Sequence, residues 1–172
     1  MTLIKTISPE KAEGSFKKLY DQMIERTGIV PKPVEMNSAS LFSFNQMAKS
    51  IEYFGNHENL NYPLLAMIRM LSAESCSNRT CADFNKSMLK KQGMTDKELE
   101  NALKNPSEAS LPKKDKAMLV FVIKAIKEPD SIGEKDIDTL HQNGWPDTDI
   151  FDCVSTGINM YSLNIIMRIF KI

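Results

Sequence analysis

From Leu64 onward, apolar residues return at Met67 and Leu71 in the three-and-four rhythm of a helix, and the same stripe then turns polar at Glu74, Asn78, Cys81 and Asn85. A helix turns about 100° per residue, so those steps keep the four polar side chains on one face. If the apolar half points at a core, the polar half follows it into dry surroundings, where hydrogen-bonding groups must find partners. The pattern therefore predicts a buried carboxyl, two amides and a thiol inside a helix running from Tyr62 to about Gln92.

The remaining elements also read as helices. Ser8-Pro9-Glu10 offers a cap, a proline at the first helical position and an acid in the first turn, and apolar residues from Ala12 to Ile24 keep helical spacing until Gly28. The segment from Gly28 to Pro33 cannot continue that helix. A second helix is expected from Asn37 or Ser38 to Phe54. Thr95 and Glu98 form a capping box that opens a short helix to about Lys104. Pro112 opens another, apolar nearly all round from Ala117 to Ile123, which places it centrally or in a subunit interface. Glu134 to Gln142 and Asp147 to Phe170 complete the set. Gly93-Met94-Thr95-Asp96 and Gly144-Trp145-Pro146-Asp147 echo each other as two corners, each beginning with a glycine suited to a left-handed helix end. No segment alternates, so the chain reads as all-α, with about seven helices in a single domain over residues 1–172.

Composition narrows the function classes. With 22 basic and 22 acidic residues the formal net charge is zero, which argues against nucleic-acid or anionic-membrane partners held by bulk electrostatics. The start, Met1 to Ser8, lacks a signal-peptide core, and no run of about 18 apolar residues follows, so a cytoplasmic protein is expected. Three cysteines without an export signal predict reduced thiols rather than a disulfide framework. The eleven methionines read as core filling. Cys76, Cys81, His57 and Glu74 match no structural zinc spacing, and no phosphate loop, dinucleotide fingerprint or Gly-x-Ser-x-Gly occurs. No metal and no cofactor is expected. His57 and His141 read as solvated, and Cys153 as core.

Several segments, in order, resemble one family. Ser8-Pro9-Glu10-Lys11-Ala12, Ala66 to Glu74 leading into the cysteine region, Asp83-Phe84-Asn85, Asp115-Lys116-Ala117 and Gly144 to Asp152 are similar to the alkylhydroperoxidase D-like and carboxymuconolactone decarboxylase superfamily, the last segment in particular to its peroxidase-related branch. The resemblance implies an AhpD-like helical domain, assembly into homo-oligomers, and thiol-dependent reduction of a hydroperoxide with an external thiol as reductant. Redox-active members carry Cys-x-x-Cys, a histidine four residues on, and an upstream glutamate that relays protons. Laid on this chain, those positions hold Asn78, Cys81, Asn85 and Ala66, so the motif is degenerate and lacks the first thiol and the relay acid.

A peroxide-reducing thiol needs a resolving partner. Cys76 is the nearby candidate. On a continuous helix the two Cα atoms would lie roughly 7.5 Å apart and point about 140° from each other, outside disulfide geometry. Ser77, Asn78 and Thr80 are all good cap residues, and a helix beginning at Asn78 would bring Cys81 to a first turn whose dipole favours thiolate. The expected site is then Cys81 as nucleophile, Cys76 as resolving thiol, Glu74 as replacement relay acid, and Asn78 with Asn85 as substrate-orienting amides. The alternative is a chain that kept the scaffold and lost dithiol catalysis, acting as a small-molecule-binding or assembly module.

Overall fold

The computed structural model describes residues 2–172; Met1, the first residue of the segment read for a leader, lies outside them. The described residues form nine α-helices and three short 3-10 turns, with no strand. The chain is all-α. It clusters into two compact units, one of residues 1–57 and 165–172, the other of residues 58–164.

In the first unit, α1 (Gly14–Thr27), α2 (Lys32–Asn37) and α3 (Leu41–Gly55) enclose a small core. Leu19, Tyr20, Met23, Val34 and Phe44 fill it, with Phe16 and Phe44 rings 4.4 Å apart. Ser8-Pro9-Glu10 starts only a 3-10 turn, Pro9–Lys11, and α1 begins at Gly14 after an extended Ala12 and Glu13. The Pro-Lys-Pro segment also differs from expectation. It ends one helix, as predicted, yet starts another, because Pro33 near an N-terminus supplies a preset φ where no backbone donor is required.

The second unit is built on α4 (Tyr62–Ser75) and α5 (Arg79–Lys91), which pack closely on each other, α4 also packing on α7 (Lys113–Lys127). α6 (Asp96–Lys104), α8 (Glu134–Gln142) and α9 (Asp147–Phe170) complete it, α9 contributing its residues up to Asn164. Met118, Leu119 and Val122 of α7 have no solvent exposure, so the apolar run is central to this unit, with Val120 on its exposed side. The Thr95 box forms as expected, Glu98 accepting from the Thr95 N–H at 2.8 Å. Gly93 and Gly144 both take left-handed φ values, 96° and 78°. Trp145, 1% exposed, donates its indole N–H to the Lys114 carbonyl at 3.0 Å, with the Lys114 ammonium over its ring.

Two helices more than expected arise from α2 and from the division of Tyr62–Gln92 into α4 and α5, which falls at the cap residues where a break was expected. Among the described residues, no helix is long and apolar enough to cross a membrane.

Candidate functional site

α4 ends because Cys76 leaves the helical conformation and Ser77 turns left-handed at φ 59°, one of two non-glycine residues to do so among those described. Asn78 then caps α5, its side-chain oxygen accepting from the Cys81 N–H at 3.2 Å. The chain is sewn back at the break: the Asn78 N–H donates to the Ala73 carbonyl at 2.8 Å, and Asn164 of α9 donates to the Cys76 carbonyl at 2.7 Å. Ser75 and Tyr161 hydroxyls meet at 2.6 Å beside it. Local preference for caps and a distant helix thus agree on where the helix stops.

The break separates the four polar residues expected on one face. Asn78, Cys81 and Asn85 come together in α5, each 4–5% exposed, with the Asn85 amide donating to the Cys81 carbonyl at 2.8 Å. Glu74 does not join them. It belongs to the exposed end of α4, since the face-sharing geometry requires an unbroken helix. Cys76 is partly exposed and donates weakly to the Ala73 and Met160 carbonyls at 3.4 and 3.7 Å. Ala66, at the position aligned with the relay acid, is fully buried.

Electrostatics favours thiols over thiolates. Burial pushes Cys81 up to about 11, an effect that the Asn78 hydrogen bond opposes and the neighbouring Cys76 reinforces. Cys76 is raised as well, again chiefly by burial. The helix-start position predicted to lower the Cys81 pKa is occupied, but desolvation wins, because a dipole worth under about 2 kcal/mol competes with loss of water around a charge. The Asn78 side-chain N–H2 is buried and finds no acceptor better than the Cys81 sulfur, toward which it donates weakly.

Other residues fall outside this cluster. Cys153 is fully buried in α9 and pushed up to about 12. His141 pairs with Asp147 at 2.8 Å on the surface, and His57 meets the edge of Tyr53. No group of three or more His, Cys, Asp or Glu among the described residues is arranged to hold a metal. An open groove of about 350 Å³ lies between α7 and α8, lined by Lys113, Lys116, Val120, Phe121 and Asp136 among others, and none of the cysteine-cluster residues borders it.

The arrangement can be compared with solved structures. A crystal structure of an uncharacterized peroxidase-related protein from Silicibacter sp. TM1040 superposes with a TM-score of 0.76 at 18% identity, covering 100% of this chain and 94% of that one. A second, described as an alkylhydroperoxidase AhpD core and peroxidase-related protein from Ralstonia eutropha JMP134, gives 0.77 at 16% identity, covering 99% and 90%. The chain has the AhpD-like fold. No family model and no curated protein matches the sequence. The AhpD-like fold therefore persists here at low sequence identity, with Asn78-x-x-Cys81 standing where the resemblance expects two thiols.

Proposed function

We propose that this chain keeps the peroxidase-related AhpD-like scaffold as a small-molecule-binding or assembly module and has lost dithiol peroxidase chemistry. The observation that carries this reading is the state of the α5 start. Asn78 replaces a thiol with a capping oxygen, and Cys81 is buried and pushed up to about 11. A peroxidatic thiol works as thiolate. Neither the aligned Ala66 nor the exposed Glu74 supplies an acid at the cluster. What remains is a dry polar trio around a thiol held in its neutral form.

One observation favours the second reading, a thiol-dependent oxidoreductase. The Ser77 break ends the continuous helix that would hold Cys76 and Cys81 apart, and Cys76 acts electrostatically on Cys81. In that reaction the Cys81 thiolate attacks the peroxide O–O bond, leaving sulfenic acid and an alcohol. Cys76 or an external thiol then displaces water to form a disulfide, which the external thiol reduces. A homo-oligomer fits either reading, because Phe151 and Ile158, seven residues apart on α9, are 72% and 52% exposed.

Mass spectrometry after treatment with an alkyl hydroperoxide and a thiol reductant distinguishes the readings. Unmodified Cys76 and Cys81 with no peroxide consumption are expected. A Cys76–Cys81 disulfide, or Cys81 oxidation that appears with turnover, overturns the module reading.

A further inference from the structure

Lys113, Lys116, Ala117, Val120, Phe121 and Lys124 recur along α7 at alternating steps of three residues and one, which keeps them on one side of the helix. α8 runs back along that side. Asp136, near its start, meets Lys124 at 2.6 Å, while Trp145, just past its end, bonds the Lys114 carbonyl at 3.0 Å. The two helices leave between them the groove of about 350 Å³, a volume within the range of small-molecule sites.

The groove is apolar in the middle and charged at its ends. Buried Phe121 and Leu140 form its floor, and exposed Val120 flanks it. At one end the Lys124 ammonium is neutralised by Asp136. At the other, Lys113 and Lys116 line the groove, and among the described residues neither forms an ion pair. The neighbouring charges of α7 are engaged elsewhere, Lys114 over the Trp145 ring and Asp115 accepting from Asn61 at 2.6 Å. Lysines at the start of a helix face the positive end of its dipole, so their placement costs α7 stability rather than adding to it. Two unpaired cations beside an apolar floor match an anion that carries a hydrocarbon body.

We propose that the groove between α7 and α8 binds a free amphiphilic monocarboxylate, its head held by Lys113 and Lys116 and its chain laid over Phe121 and Leu140. The rise from Lys116 to Lys124 is about 12 Å, which gives room for an unbranched chain of medium length. Each ammonium is a compact point charge with three donors, so the pair can serve one carboxylate oxygen each. The ion pair at the far end adds no net charge, which fixes the direction of the ligand. None of the cysteine-cluster residues borders this groove, so the site stands or falls independently of the reading given for those thiols.

Isothermal titration with sodium decanoate, below its micelle concentration and at constant ionic strength, tests this assignment. Saturable one-to-one binding is expected. Sodium butyrate, which keeps the head and loses most of the chain, should bind at least about tenfold more weakly. Lys113→Gln combined with Lys116→Gln should weaken decanoate on the order of fivefold. Val120→Glu, at an exposed position, should abolish binding with an unchanged circular dichroism spectrum. No saturable heat from the wild type, or unchanged affinity in either variant, overturns the site, and butyrate binding as tightly as decanoate overturns the role of the floor. A dimer in sedimentation velocity that Val120→Glu dissociates would make the groove a contact between two copies of the chain. Binding to phosphatidylglycerol vesicles that needs Lys113 and Lys116, with no saturable decanoate heat, would make its occupant a lipid surface. Either result overturns the free-ligand proposal. If Val120→Glu fails to fold, the lysine variant decides.

Discussion

Reaction of Cys81 with an aromatic disulfide reagent turns its burial into a rate. At pH 8 a free thiol of pKa about 8.5 is roughly a quarter thiolate, whereas a thiol pushed up to about 11 is ionised in about one molecule in a thousand. That deficit is on the order of 200-fold. A more basic thiolate is also a better nucleophile, and a Brønsted slope near 0.45 over this pKa difference returns about 10-fold. The net expectation is a Cys81 rate roughly 20-fold below that of a free thiol before access is counted, and access at 5% exposure lowers it further. The assay is stopped-flow labelling with mass-spectrometric assignment of each cysteine, in native protein and in urea, from pH 7 to pH 10. Cys76, partly exposed, should label first. The Cys81 rate should rise close to tenfold per pH unit across the range and reach the free-thiol value only in urea. A native Cys81 rate equal to the free thiol, or a plateau near neutral pH, would refute the claim that desolvation outweighs the helix start.

Three further outcomes test the surrounding structure. A Cβ on Gly157 would sit 2.5 Å from Ile126 Cδ1, 3.0 Å from Ser72 Oγ and 3.1 Å from Val122 Cγ1; Gly157→Ala should lose about 1 kcal/mol in urea unfolding, overpacking of about 2 kcal/mol exceeding a helix-propensity gain of about 1, and a more stable variant would contradict the close packing. Ser77→Gly removes the side chain from a left-handed position and should raise stability by up to about 1 kcal/mol without changing the circular dichroism spectrum; a loss would mean that the Ser77 side chain supports the break. Glu98 is held down to about 2 by the Thr95 backbone and side-chain hydrogen bonds, so its capping contribution is complete above about pH 4.5 and fades as pH falls toward 2; Glu98→Gln should flatten the acid side of the stability profile, and an unchanged profile would count against the capping box.

The helical fold was legible because apolar spacing and caps point the same way at most ends. Thr95 with Glu98, Gly93 and Gly144 each appear where their local chemistry places them. The candidate site was half legible. Asn78, Cys81 and Asn85 share a face in any helix that contains them, and they do come together buried. Glu74 was lost because its membership depended on a helix continuing through Ser75 to Asn78. The cap residues Ser77 and Asn78 already allowed a stop there, and Asn164 and Tyr161 bond to the break from the last helix. Periodicity reports only neighbours along the chain. Likewise the cap signals at Asn78 suggested a lowered thiol pKa, but the depth of burial that reverses it is a tertiary property.

The bond from Asn164 to the Cys76 carbonyl joins residues 88 positions apart. Closing so long a loop is entropically slow compared with winding α4 or α5. Assembly of the thiol region is consequently a late event, finished when the C-terminal helix lands. On a ribosome, the segment holding Asn164 is still inside the exit tunnel while α4 and α5 are already outside. A nascent or truncated chain would then carry both helices with a slack corner between them, and its Cys81 would meet solvent and oxidants that the finished protein keeps away.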